Sequence, residues 1–412
     1  MNDVPLYDLA PVAWLLGIGV LIAMVPLLYV WRRHGGHGPG RRLQALTVLT
    51  LFLTFDLTLF GAFTRLSDSG LGCPDWPGCY GNASPMGARH EIAMAQSAQP
   101  TGPVTHSKAW VEMVHRYLAT AVGFLILVLA VATWVARRRE RRSPQTAARG
   151  LGSLSAWWPA ATLVWVCLQG AFGALTVTWR LYPAIVTLHL LGAVVLLALL
   201  CIQAVRYSQA ANLRSPIPLE AGLRTLLLWT GGVLLLQIAL GGWVSTNYAV
   251  LACTQFPTCQ GSWWPPMNFS QAFEIWRELG TDSSGVPIEF AALTAIHYVH
   301  RLMAYVVFAS IAVLAWRLLR RGVLRAQAQW LAGLALLQLA TGLGNVLLGW
   351  PLVAALLHTG GAAALAVALT WALCESRRAT ATDRVAANAN TRAASASRLA
   401  TAGAGASRGS KP

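Results

Sequence analysis

Apolar residues gather along this chain into nine long runs, at about 11–31, 43–64, 109–136, 154–178, 184–206, 222–245, 291–316, 327–349 and 352–374. Each is close to or above the ~20 residues that a helix needs to cross a bilayer. Hydrocarbon admits only helices or closed barrels, because every backbone polar group must be satisfied internally. Runs of this length predict an all-α membrane protein. The segments between them alternate in charge. Arginines crowd 32–42, 137–142, 317–325 and 377–378, whereas 246–290 carries Glu274, Glu278, Asp282 and Glu289 against Arg277 alone. Positive charge stays on the cytoplasmic side. The expected inside segments are therefore 32–42, 137–153, 207–221, 317–326 and the tail, with 1–10, 65–108, 179–183, 246–290 and 350–351 outside. The chain is expected to run N-outside, C-inside.

Composition agrees with that class. Of 412 residues 56% are hydrophobic and 11% charged, with a mean hydropathy of +0.52, whereas soluble chains carry roughly 25% charged residues. The net charge of +16 sits beside the apolar runs, so it reads as helix orientation and not as a nucleic-acid surface. Lysine occurs only at Lys108 and Lys411; the arginine and alanine bias is that of a GC-rich bacterial genome. A bacterial inner membrane is the expected location. The first residues carry Asp3 and Asp8 and no base, unlike a cleavable leader or a mitochondrial presequence. The tail 375–412 is rich in Ala, Ser, Thr and Arg without apolar periodicity and is expected to be disordered.

The chain contains a repeat. Gly61-Ala-Phe-Thr-Arg-Leu leads to Cys73 and Gly241-Gly-Trp-Val-Ser-Thr to Cys253, both at an interval of twelve residues. Each cysteine is followed six residues later by another, Cys79 and Cys259. A helix with a His-Arg pair comes next, His115-Arg116 and His300-Arg301. Gln169 with Gly173 then precedes His189, and Gln338 with Gly342 precedes His358, both Gln-to-His intervals being twenty. Four landmarks in one order predict two copies of a four-helix unit, in 43–206 and 207–374, with 1–42 as an extra N-terminal helix and basic loop. An even number of spans per copy makes the repeat parallel, about an axis near the membrane normal.

Ionisable residues inside a bilayer are costly and functional by default. His115, His189, His300 and His358 each fall a turn or two inside the outer end of a span, on the order of 10 Å deep at ~1.5 Å per residue. Two facing imidazoles on a four-helix unit suit a bis-histidine haem; zinc prefers three or four clustered ligands, which neither pair supplies. Glu112 and His297 each precede a ligand candidate by three residues, and so share its helix face. Here the copies differ. Glu112 reads either as a proton-handling carboxylate or as the ion-pair partner of Arg116 or Arg65. His297 reads as a hydrogen-bond partner in preference to an alternative ligand. His34, His37, His90 and His106 are expected in solvated loops. Cys73/Cys79 and Cys253/Cys259 lie in outside loops, where thiols oxidise. Either pair is a structural staple or a redox couple, the staple being preferred for Cys253/Cys259. Cys167, Cys201 and Cys374 fall in spans and read as small core residues.

The run Gly61–Gly81, with its Cys-Pro-Asp-Trp-Pro block, closely resembles the signature of haem A synthases. So do Glu112–Arg116, Leu168–Val177 with His189, and the later His300-Arg301 and His358; the resemblance covers about 43–374. It implies eight helices in two halves and the oxidation of the C8 methyl of haem O to a formyl group, giving haem A for terminal oxidases. It also implies a haem b cofactor between His300 and His358 and substrate haem O between His115 and His189. Glu112, Cys73 and Cys79 match the family's essential glutamate and its N-terminal cysteine pair. Oxidation is expected to pass through an alcohol and a hydrated aldehyde, with Glu112 positioning or deprotonating the reacting group. Expected partners are haem O, membrane lipid, a haem O synthase, oxidase assembly factors and an electron acceptor. The first helix and the long loop 82–108 depart from the simplest family pattern. A dihaem electron-transfer cytochrome and a haem-holding chaperone or transporter are the rival readings.

Overall fold

The computed structural model describes residues 9–36, 38–142, 157–212, 215–380 and 382–383. Among them, nine helices are long and apolar enough to cross a membrane. They are α1 (Ala10–His34), α2 (Pro39–Leu66), α4 (His106–Arg142), α5 (Trp157–Thr178), α6 (Pro183–Asn212), α7 (Ala221–Thr246), α9 (Phe290–Arg321), α10 (Arg325–Leu347) and α11 (Leu352–Cys374). Every expected span is found, several of them longer. The apolar pattern marks only the part that meets hydrocarbon, whereas hydrogen bonding carries α4 on through its arginines. Two short helices, α3 (Arg89–Ala98) and α8 (Phe269–Ala272), lie in the two long connections.

Histidine placement corrects one expectation. His34 ends α1, His90 lies on α3 and His106 begins α4, so none is in a loop. His90 and His106 are exposed there, and amphipathic helix ends accommodate them as readily as loops do. His37 lies outside the described residues.

Large side chains such as Trp14, Leu21, Val25, Trp229, Leu336 and Val353 are exposed. A soluble monomer rarely shows so much contiguous apolar surface; on spanning helices it faces lipid. Hydroxyls need internal partners in that setting. On α2, Thr47, Thr50, Thr54 and Thr58 each donate to the carbonyl four residues back, at 2.7–2.8 Å, the bond Thr adopts inside a helix.

Helix α2 packs on α4 and α6, and α5 touches both α4 and α6. In the later part, α7 packs on α9 and α11, and α10 on both α9 and α11. Contacts of α6 with α7 and α11, and of α2 with α11, join the two groups. Helix α1 lies against α4 and α2. A feature the apolar pattern does not announce closes the end bearing the arginine-rich segments. Strand β1 (Ile217–Leu219) pairs in parallel with β2 (Ser376–Arg378), Ile217 opposite Ser376. Arg224 Nη1 donates to the Ser376 carbonyl at 2.9 Å. The tail therefore opens on a strand, and 384–412 lie outside the described residues.

Gly19 sets the approach of α1 to α4: a Cβ there would stand 2.6 Å from Thr120 Cγ2, whereas one on Gly17 meets nothing within 4 Å. Overpacking costs ~1–3 kcal/mol. Gly19→Leu is expected to lower the thermal midpoint in detergent, and Gly17→Leu to leave it unchanged.

Candidate functional site

Four histidines on four helices repeat one local arrangement. His115 on α4 packs against Gly61 of α2, where a Cβ would lie 3.0 Å from the ring Cε1; His300 on α9 packs against Gly241 of α7 at the same 3.0 Å. His189 on α6 faces Gly173 of α5, and His358 on α11 faces Gly342 of α10, with Cβ-to-Cε1 distances of 3.4 and 3.3 Å. A Cβ at Gly61, Gly241 or Gly342 would press on an imidazole, and one at Gly173 would sit in van der Waals contact with it. Within each group the two histidines are close enough to interact electrostatically, His115 with His189 and His300 with His358. Each ring is set among the helices yet stays only half-buried, so it borders open space.

The interval of twenty residues now has a physical cause. The Gln338 amide donates to the carbonyl of His358 itself at 2.9 Å, and the Gln169 amide to that of His189 at 3.4 Å. Each amide reaches over a glycine three residues past the histidine, Gly361 or Gly192, where a Cβ would collide with it. Glutamine thus locks one helix to the next at the histidine.

The two groups differ at the rings. In the first, Nδ1 of both His115 and His189 is buried without a hydrogen-bond partner. The His115 ring stacks on Phe60, with centroids 6.2 Å apart and planes at 11°. In the second, Thr341 Oγ1 lies 3.0 Å from His358 Nδ1. Gln237 Nε2 stands 3.4 Å from His300 Nε2 and donates to the His300 carbonyl at 3.1 Å. Two imidazoles per group that border open space suit haem iron as a donor set, and three of the four leave Nδ1 without a partner. Among the described residues, no three His, Cys, Asp or Glu side chains cluster as a metal site.

Above each group stands a disulfide loop, Cys73–Cys79 and Cys253–Cys259, each with Cα atoms 4.9 Å apart. In the first loop Asp75 accepts from the Tyr80 and Gly81 amides at 2.6 and 2.7 Å. In the second, Gln255 accepts from the Gly261 amide at 2.8 Å. The arginine after each ligand candidate holds its loop. Arg116 Nη1 donates to the carbonyls of Asp75, Pro77 and Gly78 at 2.9, 3.2 and 2.5 Å. Arg301 reaches those of Thr258 and Cys253 at 3.1 and 3.4 Å.

Both oxygens of the buried Glu112 carboxylate are engaged. One is ion-paired with Arg116, and the other accepts the Cys73 amide at 2.8 Å. Glu112 therefore touches the disulfide loop directly, and Arg116, not Arg65, is its ionic partner. Arg65 instead pairs with Asp68 at 3.3 Å and donates to the Ser245 carbonyl at 2.5 Å. His297, at the matching place on α9, has Nδ1 3.1 Å from the Ala249 carbonyl; it is a hydrogen-bond partner in this structure. Of the remaining cysteines, Cys201 is buried, Cys374 half-buried and Cys167 exposed on α5, so the core assignment does not extend to Cys167. Gln237, Thr341 and Phe60 escape a search for charge and spacing, because each belongs to only one copy.

Residues 44–370 match the COX15-CtaA family of cytochrome oxidase assembly proteins. The chain belongs to this family. The match spans both histidine pairs, both disulfide loops and eight of the nine long helices, α1 alone preceding it. Among curated relatives, a Heme A synthase of Shewanella oneidensis is 37% identical over 328 residues, covering 80% of this chain and 94% of that protein. A Heme A synthase of Symbiobacterium thermophilum is 28% identical over 330 residues, 78% and 90% of the two chains. One from Shouchella clausii is 27% identical over 246 residues, 58% and 69%. Family and apolar helices together make this a multi-pass membrane protein.

Removing one member of a buried ion pair leaves an uncompensated charge, at about 3–5 kcal/mol. Arg116→Met also frees three loop carbonyls. It is expected to speed reduction of Cys73–Cys79 by dithiothreitol, followed by thiol alkylation, while Cys253–Cys259 keeps its wild-type rate.

Proposed function

We propose that this protein oxidises the C8 methyl of haem O to a formyl group, yielding haem A for terminal oxidases, with haem O held between His115 and His189. The contact of Glu112 with Cys73 beside that pair is the observation that carries the reading. A dihaem cytochrome or a haem carrier needs two histidine pairs but no buried carboxylate joined to a disulfide loop over one of them. The Heme A synthase names of the relatives point the same way.

The second pair, His300 and His358, is assigned to haem b. When bound, that group supplies one-electron redox capacity, tuned by its axial ligands. Thr341 fixes the His358 ring at Nδ1, as suits a resident cofactor whose ligands keep one orientation, and Gln237 bonds the His300 carbonyl beside that ring's Nε2. No polar side chain bonds either ring nitrogen of His115 or His189, as suits a site that takes up and releases its ligand. Arg116 and the Cys73 amide hold the Glu112 carboxylate one helical turn from His115. From there its part is to orient the reacting group or accept a proton from it. The Cys73–Cys79 bridge is assigned to the same centre, and Cys253–Cys259 to bracing the other half.

The two groups of four helices are read as copies related by an axis near the membrane normal. Two pairs support this. Arg65 bonds Ser245 and Tyr248 bonds Asp68, each 180 residues from its partner and each its partner's counterpart in the repeat. Residues meet their own counterparts only beside a twofold axis. The charge pattern favours a bacterial inner membrane with both histidine pairs toward the periplasm, N-outside and C-inside. Haem O synthase, oxidase assembly factors and an electron acceptor are the partners this role requires.

Haems extracted from cells that make haem O and express the wild-type chain are expected to include haem A, and its absence would sink the proposal. Glu112→Gln should lower the yield by at least ~100-fold, the scale of positioned acid–base groups, with the b-type spectrum retained. Normal haem A production by that variant would remove Glu112 from the reaction.

A further inference from the structure

The middle of α2 carries a carboxylate with no part in the arrangement above. Asp56 lies well inside the Pro39–Leu66 helix, where an ionisable side chain is a functional candidate by default. Its side chain is exposed on the face of α2, and no described residue donates to it or offers it a charge. It borders a groove of about 470 Å³ between α2, α10 and α11, and every other lining residue is apolar, among them Leu59, Phe60, Phe63, Leu357 and Ala364. That volume lies within the ~300–1,000 Å³ of small-molecule sites. Phe60 both lines it and stacks on His115, so the groove lies one side chain from the first histidine pair, while Leu357, next to His358, and Gly361, against Gln338, line it on the other side. Asp56 is one turn along α2 from Phe60, ~6 Å by helix rise. Their counterparts 180 residues on are Leu236 and Leu240, so the second half repeats neither the carboxylate nor the aromatic ring.

We propose that this groove receives the isoprenoid tail of the substrate haem, with the tail's hydroxyl donating to Asp56. The inference rests on the reading of haem O as substrate. Haem O differs from haem B in carrying a hydroxyethylfarnesyl chain, whose hydroxyl sits next to the macrocycle. A long branched hydrocarbon matches the apolar walls, and the hydroxyl supplies the donor that Asp56 lacks. The resident haem b has no such tail, and the second half has no such carboxylate. The groove thus selects haem O over haem B at the first site.

Purified full-length protein, holding its resident haem, is titrated with haem O and separately with haem B, followed by Soret absorbance. Wild-type protein is expected to prefer haem O by at least ~10-fold, about 1.4 kcal/mol. Asp56→Leu should lose about that factor for haem O and none for haem B. Ala364→Trp, which fills the groove, should erase the preference while haem B still binds. An unchanged resident b-type spectrum reports that each variant is folded. Full preference in Ala364→Trp overturns the groove assignment, as does loss of a co-purifying lipid from that variant without change in haem O affinity. Full preference in Asp56→Leu overturns the hydroxyl contact. Uptake of neither haem by wild-type protein removes the substrate reading and this inference with it, whereas a retained preference removes the inference alone.

Discussion

A polar atom in hydrocarbon must find its partner inside the protein, and that constraint organises this structure around its histidines. Four imidazoles are carried into the membrane on α4, α6, α9 and α11. Each is admitted by a glycine on the neighbouring helix, which brings the backbones close enough to wall the ring in. Gln169 and Gln338 then spend their amides on the carbonyls of His189 and His358, and the threonines of α2 turn their hydroxyls back onto their own helix. After these bonds are made, Nδ1 of His115, His189 and His300 still lack partners. All four rings stay only half-buried and border open space.

The same frame explains why the pairs are not equivalent. His300 and His358 are met by Gln237 and Thr341, whereas the first pair is met by the aromatic ring of Phe60 and by no polar side chain at either ring nitrogen. Glu112 and His297 occupy matching positions but face different partners, a disulfide loop and Arg116 in one case, a backbone carbonyl in the other. The two groups of helices carry similar cages that differ at a few positions. Both groups have the clamp, Arg116 in one and Arg301 in the other, each supplying donors to loop carbonyls.

Much of this was legible before any coordinates. Nine apolar runs located nine helices, because bilayer thickness imposes a length that composition reveals. The repeated landmarks and the four histidines stand in the sequence as spacing. What spacing hid was contact. Gly61 and Gly241 stood inside the recognised motifs, yet nothing in one dimension says that they touch His115 and His300. Gly192 and Gly361 follow their histidines by three residues in both groups, a spacing that carries the contact with Gln169 and Gln338. Gln237, Thr341 and Asp56 belong to one copy each, so a search for symmetry passes over them. The β1–β2 pairing joins segments 159 residues apart, Ile217 to Ser376, and three-residue strands have no periodicity to detect. His34, His90 and His106 were misplaced because polar residues at helix ends look like loop residues.

The central claim is the division of labour between the two histidine pairs, and haem content tests it most directly. His300→Ala and His115→Ala proteins are purified in parallel, and their haem type and stoichiometry are measured by spectroscopy and extraction. The account predicts that His300→Ala loses the resident b-type haem, while His115→Ala keeps it and forms no haem A. A His300→Ala protein with a full b-type spectrum, or a His115→Ala protein that has lost it, would contradict the account.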